Sequence, residues 1–192
     1  MKSLKLIVAA AALTISGAAV AGPSYTFVDL GYLTGDSGDE RTDGFGLRGS
    51  FGFANLWHVA AEVSAADAGG GKSKAGGADI SGGNPDVALH PAVTDNTDLV
   101  IDLGYEALEY DTGTTTDVTG IFLRTGPRAL LAGDKLELSA YVSVAVGETD
   151  NNSIAGKDDF TNVAIQIGGQ YYFPPAISLG VDASVGGSRV GP

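Results

Sequence analysis

Cysteine is absent from the chain, so no disulfide framework and no thiolate metal site can form. Histidine occurs twice, as His58 and His90, and methionine and tryptophan once each. After Val20 no run of about 20 apolar residues remains, which excludes membrane-spanning helices. Basic residues are scarce. With 11 Lys and Arg against 23 Asp and Glu, the formal charge is −12. That surplus argues against nucleic acid as a partner and against electrostatic docking on anionic lipid.

What is present begins with a leader. Lys2 and Lys5 form a positive n-region, Leu6 to Val20 is an uncharged apolar run, and Ala19-Val20-Ala21 is a small-x-small cleavage site. Residues 1–21 are therefore expected to be a cleaved signal peptide, with one domain over 22–192. Loss of Lys2 and Lys5 leaves 9 bases against 23 acids, a net of −14. Glycine, at 29 residues, is abundant. A protein that enters a membrane without apolar helices must close a β-barrel, because hydrocarbon cannot satisfy an open strand edge.

The remaining sequence alternates with period two. Thr26, Val28, Leu30 and Tyr32 alternate with Tyr25, Phe27, Asp29 and Gly31. Phe45, Leu47, Phe51 and Phe53 stand against Gly44, Gly46, Arg48 and Ser50, and Trp57, Val59, Ala61 and Val63 against His58, Ala60, Glu62 and Ser64. The same scheme recurs in 97–110, 117–131, 134–147, 161–173 and 176–186, where Asp102, Glu106, Arg124, Arg128, Glu137 and Asp182 take the polar phase. Segments of about ten residues with this dyad are the signature of a transmembrane barrel.

The connections between these segments are expected at 35–42, 54–56, 66–83, 94–96, 111–116, 132–133, 148–160 and 174–175. Every odd one is longer than every even one, as when long external loops alternate with tight periplasmic turns. On the apolar phase, Tyr32, Phe45 and Tyr105 fall near the loop ends, while Phe53, Trp57, Tyr171 and Phe173 fall near the turn ends. Two aromatic belts flanking an aliphatic band match the two membrane–water interfaces.

The stretches Ser24–Tyr32, Asp43–Ser50, Thr97–Val100, Asp134–Leu138, Tyr171–Phe173 and Ile177–Gly180 resemble the small outer-membrane β-barrel proteins of the OmpA-like group. The resemblance implies an all-β, antiparallel up-and-down barrel of about ten strands in the cell outer membrane. It implies lipid, lipopolysaccharide and the barrel-assembly machinery as partners, with the extracellular ligand undefined. Two departures stand out. The fourth strand, expected over 84–93, contains Pro85 and Pro91, and proline cannot donate to a ladder. The last strand starts at Ser188 and is truncated or irregular at Pro192.

No chemistry of a catalytic or cofactor kind is expected. His58 lies at a turn and His90 in the proline-broken strand, so the two are not expected to converge, and no metal site is expected. Gly69-Gly70-Gly71-Lys72-Ser73 lacks the spacing and strand–helix context of a phosphate-binding loop. Asp36, Asp39, Glu40, Glu148, Asp150, Asp158 and Asp159 make the loops acidic, a solvated face or a divalent-cation bridge to lipopolysaccharide phosphates.

Charges on the polar phase of a small barrel enter a lumen that side chains largely fill, and there they must pair. Opposed residues in a hairpin have a constant index sum. Sums of 77, 110, 230 and 265 give two expected ladders, Asp29–Arg48–Glu62 and Asp102–Arg128–Glu137, with Glu106–Arg124 above the second. The expectation is a plugged, non-enzymatic barrel with a structural or adhesive role. The alternative is a narrow, cation-preferring diffusion pore, because acids outnumber arginines on the inward phase.

Overall fold

The computed structural model describes residues 5–16, 25–37, 40–68, 78–111, 114–151, 157–173 and 177–190. It is all-β. The strands are β1 (Lys5–Ser16), β2 (Phe27–Ser37), β3 (Glu40–Phe53), β4 (Trp57–Ala68), β5 (Ala78–Leu89), β6 (Ala92–Thr94), β7 (Thr97–Asp111), β8 (Thr115–Leu131), β9 (Leu136–Asn151), β10 (Lys157–Phe173) and β11 (Ile177–Val190). Sequential neighbours other than β5 and β6 pair antiparallel, β1 also pairs with β11, and β5 pairs with β7. The sheet thereby closes on itself as a ten-stranded barrel, with β6 folded against the foot of β7. Closure removes every long edge, which is what a wall in hydrocarbon requires.

The faces follow the sequence phase. Outward positions such as Val28, Leu30, Leu47, Val63, Leu103, Ile121, Val144, Ile165 and Val181 are exposed, whereas Asp98, Asp102, Arg128, Glu137, Ser178 and both histidines are buried. The apolar side faces out and the charged side faces in. This inverts a water-soluble protein. The buried apolar set is accordingly small, with Tyr25, Ala88 and Val100 packed together and Tyr141 against them.

Several expectations need correction. The strands run further than the pattern suggested, so only residues 38–39, 69–77, 112–114 and 152–156 link them on the loop side. The long external connections are mostly ladder, and the long–short contrast largely disappears. The fourth barrel strand covers Ala78–Leu89 and not 84–93. Pro85 lies inside it on the outward phase, and the β5–β7 register passes from Gly83↔Ala107 to Asp86↔Gly104 without pairing at 84–85. His90 and Pro91 end the strand, and Ala92–Thr94 forms β6. The segment expected to begin a tenth strand at Ser188 instead completes β11, whose ladder reaches Phe160↔Val190.

The tenth wall position belongs to β1. Lys5–Ser16, within the expected leader, is hydrogen-bonded along both edges, Ile15 opposite both Ile177 and Val28. The expected cleavage site at 19–21, the Gly69–Ser73 stretch and Asp39 lie outside the described residues, as do the side chains of Asp36 and Glu40.

Two tight turns hold strand ends at the foot. Ala54 and Asn55 adopt φ of 51° and 59°, and Ala132, Gly133 and Asp134 adopt 54°, 66° and 64°. Left-handed backbone is costly outside glycine. Gly133 is therefore the one comfortable member of its turn.

Candidate functional site: the bridged lumen

The first two hairpins place their inward charges side by side. Tyr32 opposes Phe45 and Asp29 opposes Arg48 across β2–β3. Phe53 opposes Trp57 and Arg48 opposes Glu62 across β3–β4. Arg48 also reaches Asp86 on β5, Nη2 to Oδ2 at 3.6 Å, and its guanidinium lies 5.8 Å from the Phe27 ring. Asp86 fell inside the fourth strand as expected over 84–93, but with Pro85 and Pro91 in that segment no inward phase was assigned there. Its even number, continuing Asn84 inward, was the available signal.

The β7–β8 register differs from expectation. The index sum is 226, so Asp102 opposes Arg124 and Glu106 opposes Gly120, while Arg128 opposes Asp98. Arg124 Nη2 donates to Asp102 Oδ2, and its guanidinium sits 5.2 Å from the Tyr141 ring. The expected Asp102–Arg128 and Glu106–Arg124 pairs do not form. Both registers keep the same residues inward, because a slip of four preserves the face.

At the turn end the β8–β9 sum is 267, placing Leu130 and not Arg128 opposite Glu137. The pair still forms diagonally. Arg128 Nε donates to Glu137 Oε1 at 2.7 Å and Nη2 to Oε2 at 2.9 Å. Tyr172 donates its hydroxyl to the same Oε2 at 2.8 Å. This two-point geometry is the strong form of an arginine–carboxylate contact.

Tyr25 joins this group to the opposite wall. It precedes β2, yet its hydroxyl donates to Asp98 Oδ2 on β7 at 2.9 Å, and the Arg128 guanidinium lies 4.5 Å from its ring. His90 stacks on the ring at 3.6 Å and His58 at 4.8 Å, with the imidazoles 5.4 Å apart. The two histidines thus converge, contrary to the sequence expectation. The β4–β5 register sets His58 opposite Ala88, so His90 is its diagonal neighbour, and closure of the wall carries Tyr25 across to them. Burial holds His90, in the link after β5, below the ordinary histidine range.

Above the bridge the lumen is divided into small spaces. One of about 190 Å³ is lined by Asp29, Arg48, Glu62, Gln166 and Asp182, and one of about 90 Å³ by Tyr25, His58, Arg124, Arg128 and Tyr141. Among the described residues inside the wall, Asp29, Glu62, Asp86, Asp98, Asp102, Glu106, Glu137 and Asp182 face Arg48, Arg124 and Arg128. No group of three or more His, Asp or Glu among the described residues is placed to hold a metal ion.

On the outer surface Tyr32 and Phe45 meet edge to face at 5.5 Å, and Tyr171 and Phe173 at 5.0 Å. Phe53, Trp57 and Tyr105 are also exposed. At the loop end, Asp43, Asp67, Asp79 and Asp111 oppose one another in one row across β3, β4, β5 and β7. A closed antiparallel wall of ten strands, apolar outside and charged inside, is the architecture of an outer-membrane barrel. The wall has the form of a transmembrane β-barrel.

No protein-family model matches the sequence, and no curated protein matches it. Solved structures do resemble it. OprG from Pseudomonas aeruginosa is 14% identical with a TM-score of 0.40, over 98% of this chain and 97% of that one. Ail, the attachment invasion locus protein of Yersinia pestis, is 13% identical with a TM-score of 0.38, over 98% and 100%. The outer membrane protease OmpT from Escherichia coli is 7% identical with a TM-score of 0.42, over 98% and 95%.

Proposed function

We propose that the protein is a closed, non-enzymatic outer-membrane barrel that acts structurally or presents its loop end for surface interaction. The observation that carries this is Tyr25, which crosses from the foot of β2 to Asp98 on β7 and Arg128 on β8. With Glu137 and Tyr172 it forms a continuous bridge over the turn end of the lumen. The barrel-assembly machinery inserts the wall, with Lys5–Ser16 as the strand that closes it.

Lipid covers the apolar band. Tyr32, Phe45 and Tyr105 mark one interface, and Phe53, Trp57, Tyr171 and Phe173 the other. The aspartate row at the loop end faces the lipopolysaccharide layer. Its carboxylates lie along a line and form no cage, so divalent ions would reach full coordination only with phosphate oxygens from lipopolysaccharide.

One observation favours a second reading. Eight inward carboxylates against three arginines give the lumen an excess of negative charge, which suits a narrow cation-preferring pore. Swelling of proteoliposomes in small neutral sugars, with planar-bilayer recording at neutral pH, separates the two. The closed barrel gives neither swelling nor stable conductance. A steady cation-selective current at neutral pH overturns it in favour of the pore.

A further inference from the structure

Tyr25 is held by packing and hydrogen bonds, not by the barrel ladder. It lies upstream of β2, and its backbone carbonyl accepts a hydrogen bond from the Ser50 hydroxyl at 2.8 Å. The side chain can therefore leave without unpairing a wall strand. What keeps it in place is stacking against two imidazoles, the Asp98 carboxylate and the Arg128 guanidinium.

That stack suits neutral histidines only. His58 and His90 are 4% and 8% exposed, so water cannot solvate a charge on either. His58 Nδ1 and His90 Nε2 are buried without a hydrogen-bond partner, and each ring nitrogen is open to a proton. Protonation would create two cations with ring centres 5.4 Å apart beside Arg128, in surroundings that screen charge poorly. The facing anions are already engaged. Asp98 accepts from Tyr25, and Glu137 from Arg128 and Tyr172. Arg48 and Arg124 add further positive charge along the lumen, and Tyr141 and Tyr172 stay neutral under acid conditions.

We propose that the Tyr25–His58–His90 stack is an acid-opened gate at the turn end of the lumen. It rests on the closed-barrel reading and adds a condition under which closure is lost. While both imidazoles are neutral the stack seals the mouth. When they are protonated, Tyr25 is expelled and the acid-lined spaces above it, with Asp29, Glu62 and Asp182, connect to the periplasm and admit cations. Burial holds His90 neutral below its ordinary range, so the closed state is fully stable above pH of about 6.5. Below that it loses about tenfold in the closed-to-open ratio per pH unit and per histidine, until the buried imidazoles themselves titrate.

The test is planar-bilayer recording of the full chain in a potassium chloride gradient, from pH 7.5 to pH 4.5. Heat-modifiable migration confirms folding of each protein used. The gate predicts silence at pH 7.5 and a potassium-selective conductance that rises at least tenfold per pH unit below about pH 6. His58→Phe with His90→Phe keeps the stacked rings but removes the protons, and it stays silent throughout. Tyr25→Ala removes the seal without touching the histidines and conducts at pH 7.5. Silence of the wild type at pH 4.5 overturns the gate and leaves the closed barrel standing, as does an acid conductance that survives in the double variant. Conductance of the wild type at pH 7.5 overturns both.

Discussion

Arg128 and Glu137 share two hydrogen bonds of 2.7 and 2.9 Å although neither stands directly opposite the other in the β8–β9 ladder. The long arginine bridges the diagonal, and Tyr172 completes the carboxylate. Both charges are almost wholly buried, so removing one partner strands the other. Arg128→Ala should destabilise the barrel by about 3–5 kcal/mol. Arg128→Met with Glu137→Leu should recover part of that loss, because Glu137 is no longer stranded while the buried Asp98 opposite residue 128 loses its facing cation. Urea unfolding in detergent micelles, followed through the single tryptophan Trp57, measures both.

Register in the third long hairpin is open to direct test. Leu103 opposes Leu123 at an index sum of 226. The chain has no native cysteine, so introduced pairs report without background. Leu103→Cys with Leu123→Cys should oxidise to a disulfide in the folded barrel. Leu103→Cys with Pro127→Cys, which the sum of 230 would juxtapose, should remain reduced. The reverse result would restore the Asp102–Arg128 pairing.

The row Asp43–Asp67–Asp79–Asp111 sets like charges directly opposite one another on four strands. Such pairs destabilise a sheet. Asp79→Asn should raise resistance to urea, and millimolar magnesium or a mildly acidic buffer should do the same for the wild type while adding little to the variant. Equal responses in the two proteins would show that the row is not where cations or protons act.

The sequence made the faces legible and the closure illegible. Alternation assigned Val59, Leu103, Val144 and Ile165 outward and Asp102, Arg128 and Glu137 inward, as found, because period two ties side-chain direction to parity. Parity says nothing about slips by even numbers, so the β7–β8 register moved by four without altering any face. Strand limits were read short wherever glycine, aspartate or proline entered. Asp86 beside Pro85 was left without a phase, and ladder was taken for loop at 148–151 and 157–160. The Tyr25 stack was missed for another reason: β4–β5 pairing makes His58 and His90 neighbours, but only the bend of the whole wall carries Tyr25 and Asp98 to them.

One asymmetry governs the barrel: the apolar face meets lipid and the polar face meets the lumen. Folding titrations into lipid vesicles test it through three substitutions. Val59 and Ile101 are exposed on the outer face, and Ser64 stands inward between Gly46 and Gly82 beside the acid-lined cavity. Val59→Arg and Ile101→Arg should each cost about 2–4 kcal/mol near the bilayer midplane, and Ser64→Arg should cost clearly less. A Ser64→Arg penalty larger than those of Val59→Arg and Ile101→Arg would contradict the assignment of inside and outside, and with it the closed lumen.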